Sequence, residues 1–259
     1  MKALRAAIIV CGLFAAWALV TWITAAPHYI LPGPGRVLQA LWAHRALLAG
    51  HAAVTAAEIV LGLFLGTVFG SLSAITVASF RTMRRWLLPI MVASQAIPVF
   101  AIAPLLVLWL GYGMASKVAM ATIIIFFPVA ATFIDGLQRT DRGWLDLAAV
   151  MTGGAGQRRL ATLWHVRLPA ALPALASGLR VGAAVAPIGA VIGEWVGSGA
   201  GLGYLMLHAN ARVQTDLMFA AMLTLAVFAI VLYFTVDALL RRLLPWQPDR
   251  LPAAATTAE

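Results

Sequence analysis

Few residues in this chain could do chemistry. Nucleotide chemistry needs a phosphate-cradling Gly-x-x-x-x-Gly-Lys-Ser/Thr loop, and the one dense glycine run, Gly153-Gly154-Ala155-Gly156, lacks the lysine. A disulfide or a thiolate metal cluster needs several cysteines, and Cys11 is the only one, read here as a packing residue. His28, His44 and His51 do not converge in sequence on a metal site and read as interfacial. What remains are polar side chains set in long apolar runs. Glu194 lies among Gly189, Gly193 and Gly197, Glu58 lies in an earlier run, and Gln95 stands three residues before Pro98. An ionisable group at membrane depth is a functional hypothesis by default. The competing readings are a partner for Arg212 or an interfacial carboxylate for Glu194, and a helix–helix hydrogen bond for Gln95.

The apolar runs decide the class. Of 259 residues, 63% are hydrophobic and 10% charged, against about 45–50% and about 25% in a soluble domain. Too few polar residues remain to coat a water-facing surface. The chain is an all-α, polytopic membrane protein. A spanning helix takes roughly 20 residues, so about six spans fill the length and leave no room for a soluble catalytic domain.

Spans are expected at about 6–26, 52–79, 86–110, 117–137, 174–196 and 216–240, in a single permease-sized domain covering 1–259. The first run is longer than the apolar core of a signal peptide, about 7–15 residues, and reads as a retained helix. Residues 27–51 leave the membrane: Leu31-Pro32-Gly33-Pro34-Gly35 is a turn cluster, and 36–48 reads as an interfacial helix. Gly62, Gly66 and Gly70 repeat at four-residue spacing, which lets two helices approach closely in lipid. Pro89, Pro98 and Pro104 predict a kinked third span, because each removes a backbone donor. Residues 138–173 form the longest polar loop, and 198–215 a second loop.

Charge orients these spans. With the N-terminus inside, only Arg36, Arg45, Lys117 and Arg212 of the 18 basic residues fall on the outer side. That asymmetry, rather than nucleic-acid binding, accounts for the formal charge of +9 and places both termini in the cytoplasm.

The 138–173 loop carries the most information. Residues 143–151 can form a short helix, 152–156 break it, and 157–166 resume helical spacing before Leu168-Pro169 and Pro173 lead into the next span. A basic amphipathic loop on anionic lipid explains the arginines but not the glycine break and Leu-Pro entry together. The segment resembles the cytoplasmic signature of the inner-membrane permeases of binding-protein-dependent ABC importers: Glu-Ala-Ala, three residues, Gly, nine residues, an aliphatic residue, one residue, Leu-Pro. Ala148-Ala149, Gly153 and Val166-Arg167-Leu168-Pro169 follow that order. Leu147 stands in the glutamate position, with Asp146 just before it. The spacing to Leu-Pro fits Gly156, whereas the spacing from Ala-Ala fits Gly153, so either glycine could meet the ATPase.

The resemblance extends over nearly the whole chain. Leu31-Pro32-Gly33-Pro34, Gln95-Ala96-Ile97-Pro98 and Ala103-Pro104-Leu105-Leu106 resemble the nitrate, sulfonate and taurine branch. Within it, 186–197 and 201–212 resemble members assigned to hydroxymethylpyrimidine, a thiamine precursor. It implies a type I importer permease in the inner membrane, working as a homodimer. Two separate ATPase subunits, carrying ATP and Mg²⁺, would clasp a coupling loop of Asp146, Leu147, Ala148, Ala149, Gly153, Gly154, Gly156, Leu168 and Pro169. A periplasmic binding protein would deliver the solute, and this chain would bind no cofactor of its own. Gln95, Pro98, Glu194, Trp195, Tyr204 and Asn210 are the candidate pathway residues. Tyr204, His208 and Asn210 could equally be loop packing. Trp109 and Trp195 read as interfacial belt residues, although a tryptophan face would suit a flat pyrimidine. Sulfonate, taurine or nitrate is the alternative cargo. An ion-coupled secondary transporter is a more remote reading, because no internal repeat is visible and most acidic residues lie near span ends. A membrane scaffold binding lipid or another helix through its basic loop is the other.

Overall fold

A computed structural model describes residues 2–151 and 161–246. The described chain is helical. In order it forms α1 (Lys2–Thr24), α2 (Pro34–Ala43), α3 (Arg45–Ser79), α4 (Arg81–Ala96), α5 (Val99–Leu110), α6 (Met114–Gln138), α7 (Arg142–Met151), α8 (Leu168–Gly197), α9 (Leu202–Ala211) and α10 (Thr215–Leu243). Among the described residues five helices are long and apolar enough to cross a membrane, or six when α4 and α5 count as one broken span. Their outward side chains are those of a lipid-facing surface: Ile8, Phe64, Phe69, Leu108 and Phe234 are all more than half exposed.

Four expectations need correction, each for a local reason. The third span is broken, not kinked. Pro98 disfavours the helical region for the residue before it, and Ile97 is extended at φ −84°, ψ 120°. Pro89 and Pro104 stay inside their helices. The interfacial helix is shorter than 36–48, because α2 ends at His44 (φ −104°, ψ 19°) and α3 starts at once with Arg45. Helix α3 therefore has 35 residues, about 52 Å at 1.5 Å per residue, well beyond a hydrocarbon core of about 30 Å.

The fifth span starts well before 174. A helix runs unbroken over Leu163–Gly197, opening with a π-helical turn at Leu163–Arg167. Pro169 has no N–H for the carbonyl four residues back and its ring crowds that carbonyl. The wider turn makes room, and the Leu168 N–H reaches back five residues to the Leu163 carbonyl. Finally, 198–215 is not simply a loop, since it holds the ten-residue α9.

The fold groups into two compact units. Among the described residues the first comprises 2–62, 99–121 and 187–229, and the second 63–98, 122–151, 161–186 and 230–246. In the first, Val37 and Leu48 pack with Leu202, Leu205, Ala209, Leu217 and Ala220. Trp17 stacks on Phe219 at 6.1 Å, tying α1 to α10. In the second, Ala74, Val77 and Met91 pack with Phe133, Ile134, Leu137 and Leu163. There α8 and α10 are also joined by charge: Asp237 accepts from Arg180 Nε at 2.6 Å and from Arg241 Nε at 2.9 Å.

Lipid tails are as apolar as leucine, so close packing does the work that burial does in water. The α3 glycines lie against α6. A Cβ on Gly66 would stand 2.8 Å from Ile125 Cβ, and one on Gly70 would stand 2.9 Å from Val129 Cγ1. Gly62 faces Ala121 more tightly still, within the first unit.

Candidate functional site

In the second unit, α7 is built from the middle of the candidate coupling loop. Asp141 starts it, its Oδ1 accepting the Gly143 N–H at 2.6 Å; such a side-chain cap contributes about 1 kcal/mol. Ala148 is buried, while Asp146 and Ala149 are exposed. Trp144, Leu147, Val150 and Met151 are also exposed, Val150 by 85%. A short helix anchored on one alanine thus leaves four large apolar side chains uncovered, with Leu147 among them. Leu168 is half-buried against the core and Pro169 is exposed. An open cleft of about 1000 Å³ runs beneath, between Trp144, Leu147 and Met151 on one side and His165, Pro169 and Pro173 on the other. Gly153, Gly154 and Gly156 lie outside the described residues.

In the first unit, Glu194 is buried, and its described partners are not Arg212. Thr55 Oγ1 donates to its Oε1 at 2.6 Å, and the Gly203 and Tyr204 N–H groups donate to its Oε2, the latter at 3.3 Å. Thr55 Oγ1 in turn accepts the Leu202 N–H at 2.8 Å, and His51 Nδ1 accepts the Gly201 N–H at 3.0 Å. Four consecutive N–H groups at the start of α9 are therefore satisfied by side chains of α3 and α8. The first turn of a helix has no intrahelical acceptors for these groups and carries a partial positive charge, so a carboxylate suits the place. Gly201, at φ +116° and packed against the Glu194 carboxylate, has no room for a side chain.

A buried ion pair adjoins this junction. Lys117 Nζ is 3.3 Å from Glu58 Oε1, with the two side chains 7% and 0% exposed. The Glu58 and Glu194 carboxyls are near neighbours.

Of the candidate pathway residues, Tyr204 is half-buried, stacking on His51 at 6.0 Å and lying 4.0 Å from His208. Trp195 is 52% exposed although its neighbour Glu194 is buried. Asn210 is exposed near the end of α9. Gln95 and Pro98 are exposed at the break between α4 and α5, where Gln95 Nε2 lies 3.4 Å from Ser94 Oγ. Glu194 and Tyr204 are thus brought together, while Gln95 belongs to the other unit. Sequence reasoning passed over Thr55 and Lys117 and read His51 as merely interfacial. The spacing His51, Thr55, Glu58 was the available signal, since it puts all three on one face of a helix.

Residues 66–247 match the family described as binding-protein-dependent transport system inner membrane component. A probable ABC transporter permease protein of Haemophilus influenzae is 54% identical over 93% of this chain and 97% of its own length. The formylaminopyrimidine transport permease protein ThiX of Halalkalibacterium halodurans is 34% identical, covering 85% and 86%. The taurine transport system permease protein TauC of Escherichia coli is 32% identical, covering 90% and 86%. Among solved structures, the MetNI methionine ABC transporter in inward facing conformations superposes with a TM-score of 0.62 at 17% identity, over 82% of this chain and 97% of that one. That last likeness is one of fold. The apolar spans, the Ala-Ala and Leu-Pro landmarks and the family match agree: the chain belongs to the inner-membrane permeases of binding-protein-dependent ABC importers.

Proposed function

We propose that this permease subunit conducts a small aminopyrimidine, hydroxymethylpyrimidine or a close analogue, as a homodimer driven by two ATPase subunits and supplied by a periplasmic binding protein. The likeness to a formylaminopyrimidine permease over 85% of the chain carries the choice of cargo. The 186–197 and 201–212 stretches support the same choice. Taurine or another sulfonate is the second reading, favoured by the comparably long match to TauC. Competition decides between them. Labelled hydroxymethylpyrimidine uptake by cells carrying the complete transporter should be blocked by excess unlabelled pyrimidine and left intact by excess taurine. Transporter-dependent uptake of labelled taurine with no transporter-dependent uptake of labelled hydroxymethylpyrimidine overturns the assignment.

Coupling is assigned to α7 and the residues after it, Asp146 through Gly156, with Leu168 and Pro169 setting the return into α8. The exposed apolar face of α7 supports this, because a cytoplasmic helix carrying Trp144, Leu147, Val150 and Met151 outward needs a partner to cover it. ATP and Mg²⁺ sit on that partner. Leu147→Asp together with Val150→Asp should cut co-purification of the ATPase subunit by about tenfold or more, as loss of central apolar anchors does. Permease abundance in the membrane should not change. Undiminished recovery of the ATPase would move the coupling surface elsewhere. Trp195, Tyr204 and Asn210 of the first unit are assigned to the pathway surface, with Glu194 bonded behind Tyr204; Gln95 and Pro98 of the second unit are assigned to it on the family resemblance alone.

A further inference from the structure

The start of α9 is bound more completely than packing alone requires. A ten-residue helix is unstable by itself, and α9 already buries Leu202, Leu205 and Ala209 in the core of the first unit. On top of that, His51 and Thr55 of α3 and Glu194 of α8 take up the N–H groups of Gly201, Leu202, Gly203 and Tyr204. The network is continuous, because Thr55 donates to Glu194 while accepting from Leu202. The α3 members are distant in sequence: 150 residues separate His51 from Gly201 and 139 separate Thr55 from Glu194, whereas Glu194 lies nine residues before Gly203. Nor is its environment indifferent to charge, with the Lys117–Glu58 pair beside it.

The same residues also hold Tyr204 in place. Tyr204 gives its N–H to Glu194 and its ring to His51 and His208. A shift of α3 against α8 would therefore either carry α9 along or break this junction, since its acceptors come from both.

We propose that His51, Thr55 and Glu194 are positioning residues that latch α9 to α3 and α8, so that the α9 face carrying Tyr204, His208 and Asn210 moves with those spans in transport. Glu194 then acts through α9 and does not touch the cargo. The transport part of this proposal rests on the importer reading above; the latch itself does not.

The test uses the full transporter, permease with its ATPase subunits, in nanodiscs. Cys11 is replaced by serine and the permease is spin-labelled at Leu207→Cys, an exposed α9 position, before assembly with cysteine-free ATPase subunits. Thr55→Val keeps the side chain's shape and removes the hydroxyl. Glu194→Gln removes the charge. Each should free the label's motion visibly in the spectrum, and Thr55→Ser should restore the parent spectrum. Cargo moved per ATP hydrolysed should fall about tenfold in both variants, the effect of losing a charge-assisted hydrogen bond. The KM for loaded binding protein should stay within about twofold of the parent, because no contact with the arriving ligand has been removed. Thr55→Val alone decides the matter should Glu194→Gln yield no folded protein. Parental label motion in Thr55→Val overturns the latch. Freed label motion with an unchanged transport-to-ATP ratio overturns its role in transport. A raised KM at an unchanged ratio makes Glu194 a cargo contact instead. The label reads α9 without cargo or ATP turnover, so the latch is tested even where the importer reading itself fails.

Discussion

Lys117 and Glu58 form a pair that neither residue could occupy alone. Both are buried, at 7% and 0% exposure, and they meet at 3.3 Å. Lys117 and the neighbouring Glu194 carboxyl both face Glu58, so one lysine charge is shared by two adjacent acidic groups. Removing one partner of such a pair strands the other charge and typically costs about 3–5 kcal/mol, whereas replacing both by uncharged groups is often close to neutral. Lys117→Met should therefore lower the unfolding temperature of the purified protein in detergent by several degrees. Adding Glu58→Gln to the same chain should recover most of that loss. An unchanged midpoint in Lys117→Met would mean that the pair is not shielded from water. Glu58 and Glu194 were visible in the sequence as carboxylates inside apolar runs. Their partners were not, because Thr55 resembles any other helical threonine, and Lys117 begins an apolar run where a flanking charge is ordinary. Only contacts across 59 and 139 residues of chain reveal them.

At the scale of elements, small residues set how closely helices approach, and proline sets where they stop. The glycine stripe of α3 was legible because four-residue spacing has one geometric meaning on a helix. Its partner α6 was not, since spacing along one helix says nothing about the next. Gly66→Val places two methyl groups where even a Cβ would be 2.8 Å from Ile125. Such overpacking costs about 1–3 kcal/mol and should be measurable as a lower unfolding temperature. Ile125→Ala in the same chain opens space at that contact and should return part of the stability. If Gly66→Val unfolds at the parent temperature, α3 and α6 are not in van der Waals contact there. The three prolines of the third span could not be ranked from sequence. Pro98 ends the helix by holding Ile97 extended, while Pro89 and Pro104 remain within helices. The Leu168-Pro169 pair looked like a helix start and lies inside one, because a π turn absorbs the proline. Hydropathy is blind to both outcomes, since it averages over the few residues that decide them.

At the scale of the molecule, the coupling role of α7 and the transport role of α9 both depend on which side of the membrane each short helix occupies. Helix α7 and helix α9 are separated in sequence by one apolar helix, Leu163–Gly197. We propose that this helix crosses the membrane once, which would put them on opposite sides. The proposed sidedness follows the basic residues: Arg139, Arg142 and Arg167 lie in or near α7, whereas Arg212 is the one at α9. An impermeant thiol reagent applied to intact cells, with the outer membrane opened, should therefore label Leu207→Cys in a Cys11→Ser background and leave Val150→Cys untouched. Both positions are exposed, at 43% and 85%, so access to water is not what separates them. Inverted vesicles should reverse the pattern. Labelling of Val150→Cys from outside would remove α7 from reach of a cytoplasmic ATPase and end the coupling assignment, whatever the cargo. Labelling of both from one side would mean that Leu163–Gly197 does not cross the membrane. The latch would survive that second outcome as a structural junction, because its bonds lie within one unit, but α9 would then have no part in an outer pathway. Orientation thus tests the coupling role of α7 and the outer role of α9 one by one, while leaving the latch itself intact.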